Sequence, residues 1–184
     1  MRGYRWRPMA AAEVPATTTL TALEGGETRT IDEWLITFQL LGVVLDPFTY
    51  ESSWLLETAG RILETFRDAS VRICFILTCT DAQARQFLGP WAERMLVYVD
   101  PDRAFVRACE LDALPALVHL RQNRMLEGVA EGWVPEAWRA VVARVAVDAA
   151  WTKPVIPLAG DPAPYPGSPA LGVEVRGGAE VEPA

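Results

Sequence analysis

The sequence is poor in the residue types that most soluble chemistry relies on: among 184 residues it has one histidine, His119, one lysine, Lys153, and three cysteines, Cys74, Cys79 and Cys109. An odd number of cysteines without CxxC or metal-type spacing argues against a disulfide framework and against a zinc site. The formal charge of −7 and a pI near 4.8 deny the chain the cationic surface that nucleic-acid binding or a polybasic membrane anchor requires. No apolar run approaches the roughly 18 to 20 residues of a membrane-spanning helix, so no membrane insertion is expected. The opening MRGYRWRPMAAAEVPATT is a poor signal peptide, because its alanine run is short and is broken by Glu13 and Pro15. These features together fit a reducing cytoplasm.

What the chain does have is apolar mass. At 51% hydrophobic residues it can build a substantial core in one domain, read here as residues 16–150 between a loosely ordered segment 1–15 and a tail 151–184. In the first segment Arg2, Tyr4, Arg5, Trp6 and Arg7 could dock on an acidic partner or on the protein itself, although a solvated terminus is the simpler reading. The tail holds seven of the 14 prolines, between Pro154 and Pro183, and lacks periodicity. It reads as an extended segment with Trp151, Tyr165 and Leu171 as anchors.

The core alternates strand and helix patterns. Thr17–Leu23 suits an edge strand closed by Gly25-Gly26, and Thr30-Ile31-Asp32-Glu33 matches a capping box leading into a helix with Trp34, Leu35 and Phe38. Leu40–Leu45 reads as a buried strand, followed by a helix that starts near Ser52 or Ser53 and buries Leu55, Ala59, Ile62 and Phe66. Val71–Thr78 is nearly all apolar, as a strand covered on both faces must be. Asp81 can cap a helix that Gly89-Pro90 interrupts, and Met95–Val99 forms a short strand. A helix carrying Phe105, Val106 and Cys109 follows, then strands at Ala116–Leu120 and Met125–Val129, and a last helix opening at Pro135.

This order resembles the thioredoxin fold in its redoxin variant, which carries an extra strand and helix. The resemblance covers about residues 17–149 and rests on VVLDPFTYESSW (43–54), on LVYVDPDRAFVRACELDALPALVHL (96–120) and on EGVAEGW (127–133) before the final helix. It implies an α/β fold with a central mixed sheet flanked by helices, and a cis peptide at Leu114-Pro115 facing the active site. Where the family places CxxC or a single reactive cysteine at a helix start, this chain has Tyr50, Glu51, Ser52, Ser53 and Trp54. Serine hydroxyls cannot cycle through disulfides, so dithiol exchange at that position is excluded.

The main expectation is therefore a catalytically degenerate, redox-inactive protein without cofactor or metal. Its groove, bounded by Phe48, Tyr50, Glu51, Ser52, Ser53 and Trp54 and by Leu114, Pro115 and Ala116, would hold a protein partner or extended peptide, as in an assembly factor or chaperone. Phe48 and Trp54 could equally fill the core. One alternative is a single-thiol redox enzyme or sensor using Cys79, which needs that thiol exposed and acidic. Another is a structural subunit that wraps a neighbour with its tail. Cys74 and Cys109 fall on core positions, His119 reads as a satisfied strand residue before a catalyst, and Glu51 as a helix-start carboxylate before an acid or base. Asp81, Asp100 and Asp102 read as caps and turn residues, without a calcium-loop pattern.

Overall fold

A computed structural model describes residues 12–172. Its ten strands and six helices run in the order β1 (Ala12–Glu13), β2 (Thr19–Ala22), β3 (Thr28–Thr30), α1 (Ile31–Trp34), β4 (Gln39–Leu45), α2 (Tyr50–Glu64), β5 (Val71–Leu77), α3 (Asp81–Leu88), α4 (Trp91–Arg94), β6 (Leu96–Val99), α5 (Ala104–Ala108), β7 (Ala113–Leu114), β8 (Ala116–Leu120), β9 (Met125–Glu131), α6 (Pro135–Asp148) and β10 (Ser168–Pro169). Eight strands form one mixed sheet in the order β1-β9-β8-β4-β5-β6-β2-β3, parallel across β4, β5 and β6 and antiparallel elsewhere. β7 and β10 form a separate two-stranded ribbon.

The central strands are apolar on both faces because helices cover both. Along β4, Leu41, Val43 and Leu45 join one buried cluster with Leu55, Ala59 and Ile62 of α2 and Trp138, Val142 and Val145 of α6. Leu40 and Val44 point the other way, to Ile31 and Trp34 of α1 and Phe105 and Val106 of α5. The period-two alternation of a strand thus feeds two cores from one apolar run. Gly42 lies between them, where a Cβ would stand 3.2 Å from Ile76 and 3.3 Å from the Cys74 sulfur.

Local signals account for most helix boundaries. The capping box forms as expected, with the Thr30 amide donating to Glu33 Oε2 at 2.8 Å. A second one, Thr80 with Gln83, makes Thr80 and not Asp81 the cap of α3. The second helix begins at Tyr50, earlier than Ser52 or Ser53, and α1 stops at Trp34, which leaves Phe38 outside it and half exposed.

Two edge expectations need correction. β2 is not an edge, because Gly25 and Gly26, both with positive φ, turn the chain back so that β3 pairs outside it. Residues 12–15 are not loose either: Ala12 and Glu13 pair with β9, and Val14 is fully buried. Arg2, Tyr4, Arg5, Trp6 and Arg7 lie outside the described residues. No described helix is long and apolar enough to cross a membrane.

The chain after α6 folds back on its own domain. Both Asp161 carboxylate oxygens accept from Arg61 Nη2, at 3.0 and 2.8 Å, and Oδ1 also accepts from the Thr58 hydroxyl at 2.9 Å. Trp133 Nε1 donates to the Pro162 carbonyl at 2.9 Å, and Trp133 and Tyr165 exchange backbone hydrogen bonds. Of the three expected anchors, Tyr165 holds, Trp151 is half exposed with its indole N–H on the Thr65 carbonyl, and Leu171 points outward while its neighbour Ala170 is buried.

Candidate functional site

The junction between β4 and α2 is built on Asp46, which a buried strand delivers to the end of the sheet. Its backbone N–H donates to Ser52 Oγ at 2.9 Å, and its carbonyl accepts from the Thr49 amide and hydroxyl at 3.1 and 3.0 Å. Its carboxylate accepts the Phe48 amide at 3.0 Å, and Arg103 Nη2 at 2.8 Å. The Asp46 carboxylate is 5% exposed and the Arg103 side chain 17%, so this is a largely desolvated ion pair. Pro47 has no N–H that needs an acceptor, and the Asx-type turn lets the chain enter α2 at once.

The expected groove residues divide into two sets. Ser52 is fully buried and structural, whereas Phe48, Tyr50 and Trp54 are 66, 78 and 57% exposed and do not fill the core. Tyr50 and Trp54, one helical turn apart, stack at 6.3 Å, and Trp54 meets the Tyr165 ring edge-on at 5.6 Å. Ser53 is exposed at the start of α2, with its hydroxyl on the Thr49 carbonyl at 3.4 Å. Glu51 contributes its carbonyl, which accepts the Tyr165 hydroxyl, and it is neither a side-chain cap nor a placed acid or base.

On the other side the Leu114–Pro115 peptide is cis, and Leu114, Pro115 and Ala116 are buried. They are covered by the chain itself. β10 pairs antiparallel with β7, Ser168 opposite Leu114, and the Ser168 hydroxyl donates to the Leu114 carbonyl at 3.3 Å. The Ala170 amide donates to Asp112 O at 2.9 Å, while the Ala170 carbonyl accepts from Arg103 Nη1 at 2.6 Å. Arg103 therefore joins the tail to Asp46.

Cys79 lies two residues beyond β5 and is 3% exposed. Burial first, then the Asp46 and Asp81 carboxylates, push its thiol up to about 12, and Arg103 pulls in the opposite direction. The exposed, acidic thiol that a redox role calls for is not what the structure shows, since Cys79 is buried and its thiol is raised. Even so, Cys79 is the described thiol that feels the Asp46–Arg103 pair; Cys74 and Cys109 are core residues, raised mainly by burial.

The remaining candidates stand apart. His119 is fully buried with Nε2 2.9 Å from Gln39 Oε1, and burial drives it down to about 4. Asp100 accepts the Phe105 and Val106 amides at 3.0 and 3.2 Å and acts as a turn and cap residue. Sequence reasoning missed Asp46 as more than a strand stop, found Tyr165 as an anchor but not the pairing of residues 168–170 with β7, and missed Arg103 altogether. An Asp-Pro pair after a buried strand carried a turn signal; Arg103 and the 168–170 pairing carried none.

No family model and no curated protein matches the sequence. Solved structures do match. A thiol:disulfide interchange protein DsbE from Chlorobium tepidum is 11% identical with a TM-score of 0.61, over 74% of this chain and 95% of that one. The fold is thioredoxin-like. Peroxiredoxin Q from Xanthomonas campestris is 18% identical with a TM-score of 0.61, over 77% of this chain and 99% of that one. The thioredoxin domain of a thiol-disulfide oxidoreductase from Bacteroides vulgatus is 12% identical with a TM-score of 0.56, over 74 and 98%.

These thioredoxin-like neighbours are thiol-disulfide oxidoreductases and peroxiredoxins, which overturns the expectation of a degenerate, redox-inactive binding module, chaperone or assembly factor. In the structure the chain's own residues 165–170 lie along that groove. Of the tail, residues 151–172 pack on their own domain, and residues 173–184 lie outside the described residues.

Proposed function

We propose that the chain performs thiol–disulfide chemistry through one cysteine, Cys79, held closed and protonated in the resting form. The observation that carries this reading is the placement of Cys79 beside the Asp46–Arg103 pair, where β4 and β5 deliver the chain to the junction. Thioredoxin-like neighbours that are redox proteins support it. Three free cysteines support a reducing compartment, the cytoplasm.

The reaction is a monothiol exchange. After local opening the Cys79 thiol loses its proton to solvent, and the thiolate attacks one sulfur of a disulfide. The S–S bond breaks, and the departing thiolate takes up a proton, leaving a mixed disulfide on Cys79. A second, external thiolate then attacks the partner's sulfur in that mixed disulfide, forms the new disulfide with it, and expels the Cys79 thiolate, which takes up a proton. Protein and substrate disulfide thus exchange without net oxidation.

Glutathione disulfide is the direct probe. The native chain is expected to gain one glutathione, mapped by mass spectrometry to Cys79 and absent in Cys79→Ser. Modification that appears only under denaturing conditions, or that maps to Cys74 or Cys109, would end the proposal.

A further inference from the structure

We propose that residues Asp161–Ala170 are an autoinhibitory strap, occupying as an intramolecular strand the β7 edge that an extended polypeptide substrate would otherwise pair with. The inference deepens the thiol reading by naming substrate class and regulation, and it rests on that reading for the reaction but not for the edge geometry.

The strap is fastened at four places along the junction. Asp161 is locked by Arg61 and Thr58 on α2, and Tyr165 pairs with Trp133, bonds Glu51 and packs against Trp54. Ser168 and Pro169 then lie antiparallel to Leu114 and Ala113, and Ala170 bonds Asp112 and Arg103. A foreign strand laid on β7 would need the same backbone groups, so the two occupants exclude each other. The strap wins at rest because a tethered segment competes at an effective concentration in about the millimolar range.

Its fit is also easily spoiled. Gly167 has φ +84° and no room for a side chain: a Cβ would stand 2.7 Å from the Leu114 carbonyl oxygen and 3.1 Å from Gly132 Cα. Pro162, Pro164, Pro166 and Pro169 stiffen the segment, lowering the entropy lost on docking. Opening it would take away one of the two Arg103 bonds, loosening the pair beside Cys79.

The test uses the full chain and two variants, Gly167→Ala and Tyr165→Ala, neither of which touches the proposed reacting atoms. Hydrogen exchange of residues 163–172 should accelerate at least tenfold in both, with β4 and β5 unchanged. A labelled peptide copying residues 161–172 should bind the variants at least tenfold more tightly than the wild type. Variants that loosen the strap without gaining peptide binding would overturn the inference, as would a wild-type strap already exchanging as fast as the variants. Glutathionylation of Cys79 is read separately: peptide binding gained while Cys79 stays inert would sink the thiol reading and leave the strap standing.

Discussion

Removing Arg103 should show how far the junction depends on one buried pair. At an effective dielectric of about 20, two unit charges about 4 Å apart attract by ~4 kcal/mol, and deleting one partner of a buried pair costs about 3–5 kcal/mol. Arg103→Met would leave the Asp46 carboxylate with the Phe48 N–H alone and would free the Ala170 carbonyl. Because the guanidinium keeps 17% exposure, the lower end applies, and a loss of about 3 kcal/mol is expected. Asp46→Asn retains an oxygen for the Phe48 amide but strands the cation. In the double variant neither charge is left unpaired, so the cycle should return a coupling of about 2 kcal/mol, measured by urea unfolding at neutral pH. Additive losses, with a coupling below about 0.5 kcal/mol, would refute the role given to this pair.

Two further outcomes follow from buried groups elsewhere. His119 is held near 4 in the fold and returns to its ordinary 6.5 on unfolding, so as pH falls below 6.5 the unfolded chain takes up the proton and stability is lost, levelling off near pH 4. Between pH 7 and 5 that amounts to ~2 kcal/mol, which urea titrations should detect and His119→Gln should remove; an equal pH slope in the variant would contradict it. Asp148 and Glu127 oppose this shift, and Arg121 and Arg144 add to it. Gly60→Ala would drive a Cβ into the Trp91 ring, disturbing its bond to Glu57 and its edge contact with Phe75, at a cost of about 1–3 kcal/mol. Unchanged near-ultraviolet circular dichroism and stability would show that the ring yields freely.

The fold was legible where the sequence carries local physics. Ala116–Leu120 forms the expected strand, Pro135 opens α6, and Gly89-Pro90 splits α3 from α4, because burial period, cap chemistry and proline geometry act over a few residues. β1, β3, β7 and β10 were not legible: two or three residues cannot display a period, and their strand state is set by the partner they meet. The candidate site failed in the same way. Cys79 was visible as a thiol at a strand end, but Asp46 meets Arg103 across 57 positions and Leu114 meets Ser168 across 54, distances over which composition says nothing. The filling of the groove follows from the second of those long-range contacts.

Whether Cys79 reacts through a local opening of the junction is tested most directly by alkylation of all three cysteines in the native chain across pH, assigned by mass spectrometry. Cys79 is expected to react at least tenfold faster than Cys74 and Cys109, with a rate that climbs about tenfold per pH unit until the opened thiol titrates near 8.5. Three thiols reacting together, at the rate of global unfolding, would contradict it.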